Sequence, residues 1–205
     1  MAHSAASNTG RLLLAAFRAL LVLTVVTGLA YPLAVTGIAQ AAFPDQAGGS
    51  LVKADGREVG STLVGQTFNL KGTDRPDPKW FQPRPSASAY DPLSTGSSQL
   101  GASDPTLLKT VAKAKRQVAA FNQVPESEVP KDAVTGSASA IDPHISPEYA
   151  AIQVKRVARE NGLTVPRVRK LVDAHTGGRT AGFLGEPHVN VLELNIALQR
   201  VAAAD

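Results

Sequence analysis

Cysteine is absent from the 205-residue sequence. That excludes a disulfide framework, a thiolate nucleophile, and zinc or iron–sulfur sites built on cysteine ligands. It also leaves the redox compartment open, because a chain without thiols is indifferent to it. Carboxylates are missing from the N-terminal stretch, where Arg11 and Arg18 precede the first acidic residue, Asp45. Subtracting those two from the 21 basic residues leaves 19 against 17 acidic ones, so the chain beyond residue 43 is almost neutral. The pI near 9.5 is therefore no argument for nucleic-acid binding. The densest basic cluster, Lys113, Lys115 and Arg116, reads as a solvated helix face. With 43% hydrophobic and 19% charged residues, the chain can bury the core of one ordinary domain and carry an attachment element besides.

Formal charge is also missing from the 25 residues 19–43, "ALLVLTVVTGLAYPLAVTGIAQAAF". A helix of that length reaches about 37 Å, enough to cross a hydrocarbon core of about 30 Å with some tilt. Pro32 predicts a kink, with a freed carbonyl near Gly28. Gly28, Ala30, Ala34 and Gly37 are small enough to let another helix approach. The rival reading is a cleavable signal peptide ending at "AQA" (39–41), but the apolar run is longer than such cores. A retained single-pass anchor is preferred. Arg11 and Arg18 then keep residues 1–18 cytoplasmic, residues 19–43 span the cell membrane, and residues 44–205 lie outside.

The outer part reads as one α+β domain with a small sheet or hairpin and about four helices. Residues 50–66 predict a hairpin: Leu51 and Val52 lead to an Asp55-Gly56 turn, with Val59, Ser61 and Leu63 alternating on the return strand. Residues 79–105 are dense in Pro, Ser and Gly and predict a long loop, which Trp80, Phe81 and Tyr90 must pack against something. Asp104 caps a helix whose stripe of Leu107, Leu108, Val111, Val118 and Ala119 runs to about Phe121. Ser146 caps a second, with Ala150, Ala151, Val154, Val157 and Ala158 inward and Gly162 as its stop. A third spans residues 166–174, with Val168, Leu171 and Val172 inward. The C-terminal "NVLELNIALQRVAAA" partly alternates, but Asn190 with Glu193 suggests a capping box and favours a helix.

Residues 134–150, "VTGSASAIDPHISPEYA", hold the side chains from which hydrolytic sites are made. A serine hydrolase would use Ser137 or Ser139 with His144 and Asp142. Triad members normally come from separate elements, however, and no G-x-S-x-G elbow surrounds these serines. The favoured reading is structural. Thr135, Ser137 and Ser139 bond to nearby backbone, Asp142-Pro143 turns the chain, and Ser146 caps a helix. His144, His175 and His188 lie far apart in sequence with no metal-ligand spacing, and His175 reads as a helix-end group. The glycines of "GGRTAGFLGEP" (177–187) lack a phosphate-loop pattern and read as turn residues. Arg84, between two prolines, is a stiffly presented guanidinium that forms an ion pair with Asp91 or meets a partner. The residues alone thus favour a binding or assembly module over an enzyme, with no catalytic or metal residue assigned.

Several blocks resemble a known family. "WFQPRPSASAYDP", "TGSASAIDPHISPEYAAIQVKRVA", "LVDAHT" and "GFLGEPHVNVLELNIAL" are similar, in order, to the C chain of the bacterial Kdp potassium-transporting ATPase. The resemblance runs from about Leu20 to Leu198. It implies an accessory subunit of a potassium uptake pump, with a channel-like A chain, a P-type ATPase B chain and the lipid membrane as partners, and no nucleic acid. It implies that ATP and Mg are used by the B chain and that potassium is the transported ion, with no cofactor assigned to this chain. It further implies a catalytic chaperone that raises the ATP affinity of the B chain. With ATP cytoplasmic and residues 44–205 outside, such an effect has to be conformational coupling through membrane helices. Asp91, Asp142 and Glu186 are then candidates for local cation attraction at an outer mouth. Arg84, Tyr90, Asp91, Asp142, His144 and Asn190 are the residues expected to shape the domain or its interface, and Gly28, Pro32 and Gly37 the membrane helix. Three positions depart from the family pattern: Ala140 stands where glycine is usual, Gln99 for asparagine and Ala102 for proline. The first leaves open whether residue 140 takes a positive φ. Outside the family, the alternatives are an anchored binding module and, behind it, a secreted hydrolase.

Overall fold

The computed structural model describes residues 2–204, with side chains from residue 9 onward. The chain divides into two compact units, residues 1–50 and 51–205.

The first unit is helical because its run of Leu, Val and Ala offers nothing that competes with backbone hydrogen bonds. It comprises α1 (Ala2–Val25), a π-helical turn (Val26–Ala30), α2 (Tyr31–Ala42) and the short α3 (Pro44–Ala47). That π turn lies just before Pro32, where a kink is expected. Tyr31, the residue before the proline that has no N–H to give, reaches back with its own N–H to Val26 O, five residues away. Thr27 Oγ1 donates to Leu23 O at 2.7 Å. The apolar helical stretch runs over 34 residues, Thr9–Ala42, so Arg11 and Arg18 lie on the helix itself. Gly28 and Gly37 leave open helix surface, where an added Cβ would meet nothing closer than Thr24 Cγ2 at 4.0 Å.

The second unit is α+β, as expected. Strands β1 (Leu51–Ala54) and β2 (Arg57–Ser61) form the predicted antiparallel hairpin. Asp55 and Gly56 both take positive φ, 51° and 76°, the two-residue turn that matches strand twist. The return strand differs from expectation. Val52 pairs with Gly60 and Lys53 with Glu58, so Val59 is a bulge residue, and Leu63 lies beyond the strand in a turn closed by Val64 N–H to Ser61 O.

Four α-helices follow among the described residues: α4 (Pro105–Asn122), α5 (Pro147–Glu160), α6 (Val165–Ala174) and α7 (Val191–Ala203). Each is capped by its own sequence. Asp104 accepts from Thr106 N–H at 2.7 Å, Ser146 from Tyr149 N–H at 3.0 Å and Asn190 from Glu193 N–H at 3.2 Å. Thr164 caps α6, which begins one residue earlier than expected. The α4 stripe is only partly used: Ala119 is buried, but Leu108 is 60% exposed. The mixed signal at residues 189–196 reflects a real change of element. Strand β5 (His188–Asn190) pairs on one side with β3 (His144–Ile145) and on the other with β4 (Thr176–Gly177), and α7 starts at the next residue. Val189 faces the core from the strand, while Val191, Leu194 and Leu198 face it from the helix. The core joins these to Phe81, Ile145, Tyr149, Val154, Val157, Val168 and Val172.

Candidate functional site

The long segment after β2 has no regular structure through residues 79–104, yet Phe81 is fully buried and Gln82 is 8% exposed. Buried backbone without a ladder needs partners, and side chains of α5 and α7 supply them. Asn195 clasps Phe81 twice, accepting its N–H and donating to its C=O, both at 2.9 Å. Gln153 does the same for Gln82 at 2.7 and 3.1 Å. Arg156, 1% exposed, donates to the carbonyls of Pro78 and Trp80, to Asn122 Oδ1 and to Gln153 Oε1. Its guanidinium also lies 4.4 Å from the Phe121 ring centre. Burial pushes Arg156 down to about 10, which still leaves it charged at neutral pH. Gln153, Arg156 and Asn195 drew no attention in the sequence, because mid-helix Asn, Gln and Arg usually face water.

Next to this clasp sits the group of residues expected to shape the domain. Arg84 pairs with Asp142 at 3.0 Å, and not with Asp91. Its other nitrogens reach Thr135 O and Gly136 O at 3.4 Å, so one guanidinium ties the Pro-rich strip to the Ser-rich loop. Asp91 is exposed and accepts from Leu93 N–H at 2.9 Å, the work of a turn former. Tyr90 is buried and donates to Arg84 O at 2.7 Å. Burial and the nearby Asp142 charge push its phenol well above the ordinary tyrosine value. Gly65 allows this close approach, since a Cβ there would fall 2.4 Å from Tyr90 Cε1 and 2.8 Å from Asp142 O.

Asp142 and His144 come together. Asp142 Oδ1 accepts from His144 N–H at 2.9 Å and lies 3.4 Å from His144 Nδ1. Burial raises the Asp142 carboxyl, but the hydrogen bonds from His144 and the charge of Arg84 outweigh it and hold the group below its ordinary value. His144 also packs edge-on against His188, ring centres 4.5 Å apart, which the sequence distance between them had hidden. His175 ends α6, as expected, with Nδ1 2.8 Å from Leu171 O. Among the described residues no group of three or more His, Asp or Glu converges as a metal site.

The serines do not join this pair. Ser137 Oγ and Ser139 Oγ lie 3.3 Å from each other, and Ser139 Oγ accepts from Ile141 N–H. Thr135 Oγ1 donates to Lys131 O. Ser146 is held by both oxygens of Asp132. Ala140 takes φ 62° although it is not glycine, is 1% exposed, and its carbonyl accepts from Ser86 Oγ at 2.7 Å. Asn190 has two jobs: it caps α7 and donates to Thr62 O at 2.9 Å, fixing the hairpin exit. Glu186 pairs with Arg179 at 3.0 Å. Of the three acids expected to attract cations, Asp142 and Glu186 are thus neutralised by arginines. A cleft of about 450 Å³ lies elsewhere, beside Val52, His175, Glu193 and Arg200.

Residues 13–200 match the family model described as KdpC: K+-transporting ATPase, c chain. Among curated proteins, the potassium-transporting ATPase KdpC subunit of Streptomyces avermitilis is 52% identical, covering 98% of this chain and 99% of that protein. The subunit of the same name from Sorangium cellulosum is 52% identical over 87% of this chain and 92% of its own. That from Geobacter sulfurreducens is 49% identical over 87% and 92%.

Proposed function

The chain belongs to the KdpC family, the c chain of a K+-transporting ATPase, and from that premise we propose that it is a non-catalytic accessory subunit of such a pump. One observation carries the non-catalytic part. The polar groups of residues 134–146 are engaged with each other, with local backbone, with Arg84 and with Asp132, and no serine is paired with His144. A nucleophile needs a base within hydrogen-bond reach.

Residues 19–43, most of which lie in the apolar helical stretch Thr9–Ala42, cross the cell membrane once, with residues 1–18 cytoplasmic and residues 44–205 outside. The partners are a channel-like A chain, a P-type ATPase B chain and the lipid bilayer. The B chain takes ATP and Mg, and potassium is the ion moved. This chain stabilises the assembly and raises the ATP affinity of the B chain by conformational coupling, with no nucleotide contact of its own. A rigid domain suits that role. The clasp on Phe81 and Gln82 fixes one strip of backbone, and Arg84 transmits that position to the Ser-rich loop.

The test is potassium-stimulated ATP hydrolysis by A and B chains, purified with this chain or without it. The proposal expects the KM for ATP to rise and subunit association to weaken when the chain is omitted, while Ser137→Ala restores both as well as the native chain does. Equal hydrolysis and assembly without it, or loss of activity in Ser137→Ala with the fold intact, contradicts the proposal.

A further inference from the structure

The outward face of α4 has a single chemical character. The charged residues of the helix are Lys109, Lys113, Lys115 and Arg116, of which Lys115 is half-buried, and no carboxylate lies between Pro105 and Asn122. Lys109, Lys113 and Arg116 stand at i, i+4 and i+7, which gathers them within about 60° on the helix surface. All three are exposed, and none takes part in an ion pair among the described residues. The packed face lies opposite, where Ala119 and Asn122 are buried and Leu107, Val111 and Val118 half-buried. The exposed Leu108 and Ala112 border the stripe on one side.

A helix that only faces water gains from opposite charges four residues apart and loses from like ones. The Lys109–Lys113 spacing does the second, so the stripe opposes its own helix unless something anionic neutralises it. A basic stripe flanked by exposed apolar side chains suits a surface of acidic headgroups. The chain is tethered close to such a surface, because only residues 43–50 separate the apolar helix from β1.

We propose that the Lys109–Lys113–Arg116 stripe of α4 docks on anionic phospholipid headgroups of the membrane that holds the chain. The inference rests on the reading of Thr9–Ala42 as a membrane anchor. Each basic residue near an anionic surface contributes about a five-fold preference, so three together give about 100-fold. Salt removes it, since the Debye length is about 10 Å at 0.1 M.

The absence of cysteine makes the test direct. The full chain carrying Ala112→Cys, labelled with an environment-sensitive fluorophore, is incorporated into vesicles of phosphatidylcholine alone or mixed with phosphatidylglycerol. Accessibility to acrylamide, a neutral quencher, is then measured. Quenching is expected to fall several-fold with phosphatidylglycerol, and to return in high salt or in the K109Q/K113Q/R116Q variant, whose circular dichroism stays unchanged. Equal quenching in both lipids overturns the proposal. So does protection that appears only when the other ATPase subunits are added, whatever the lipid, which would assign the stripe to an acidic protein surface. Extraction with alkaline carbonate tests the anchor separately. If the chain is extracted, the anchor reading fails, and flotation with phosphatidylglycerol vesicles still reports whether the stripe binds them.

Discussion

The strip at Phe81–Gln82 and the loop at residues 134–142 are both irregular and rich in hydrogen bonds, but they are ordered by opposite means. The strip is buried, and its bonds go to Gln153 and Asn195, 71 and 114 residues away. The loop is more exposed, and about half of its bonds go to hydroxyls and carbonyls two to four residues away, the rest to Arg84, Ser86, Gly65 and Gly96. A buried group that loses its partner bears the full desolvation penalty, whereas an exposed one turns to water. The two stretches should therefore respond very differently to similar changes.

The largest effect is expected at Arg156. Arg156→Leu removes donors from Asn122, Gln153 and two carbonyls of the strip, and should cost about 3–5 kcal/mol in denaturant unfolding. Asn195→Leu strands both polar groups of Phe81 and should cost about 2–4 kcal/mol by the same measurement.

Effects in the loop are smaller. Asp142→Asn weakens the bonds to Arg84 and His144, both partly exposed, and should cost about 1 kcal/mol at pH 7. Its sign with pH is fixed by the lowered carboxyl. The native contribution is fully present above the unfolded value of about 3.9 and is lost as pH falls through the folded value. The Asn variant should therefore show a flatter stability curve below about pH 4, measured as Tm against pH.

Ala140→Gly tests the smallest effect. Relief of the left-handed backbone is offset by a lost buried methyl and a more flexible unfolded chain, so the net change should stay within about 0.5 kcal/mol. Ala140→Val, branched and buried at the same φ, should cost several times more, and paired melting curves of the two variants check this.

The same contrast explains what could be read from the sequence. Helix caps, the Asp55-Gly56 turn and the self-bonded serines are signals spanning a few residues, and all of them appear in the structure. The short strands β3, β4 and β5 carry two or three residues each, too few for a period to show. The Arg84–Asp142 pair was hidden because Asp91 is closer along the chain, while the pairing of β3 with β5 and the turn at Tyr90 decide which carboxylate arrives. The Gln153, Arg156 and Asn195 clasp was hidden for the same reason at longer range. Nothing in a helical Gln, Arg or Asn announces that a loop from elsewhere will lie against it.

Hydrogen exchange of individual backbone amides tests this account most directly. The Phe81 and Gln82 amides, bonded to buried side chains of α7 and α5, should exchange only through global unfolding, with protection equal to the stability of the domain. The amides of Ala140 and Ile141, bonded within the loop, should exchange orders of magnitude faster through local opening. Equal protection in the two stretches, or fast exchange at Phe81, would contradict the claim that distant buried side chains hold the strip and local ones the loop.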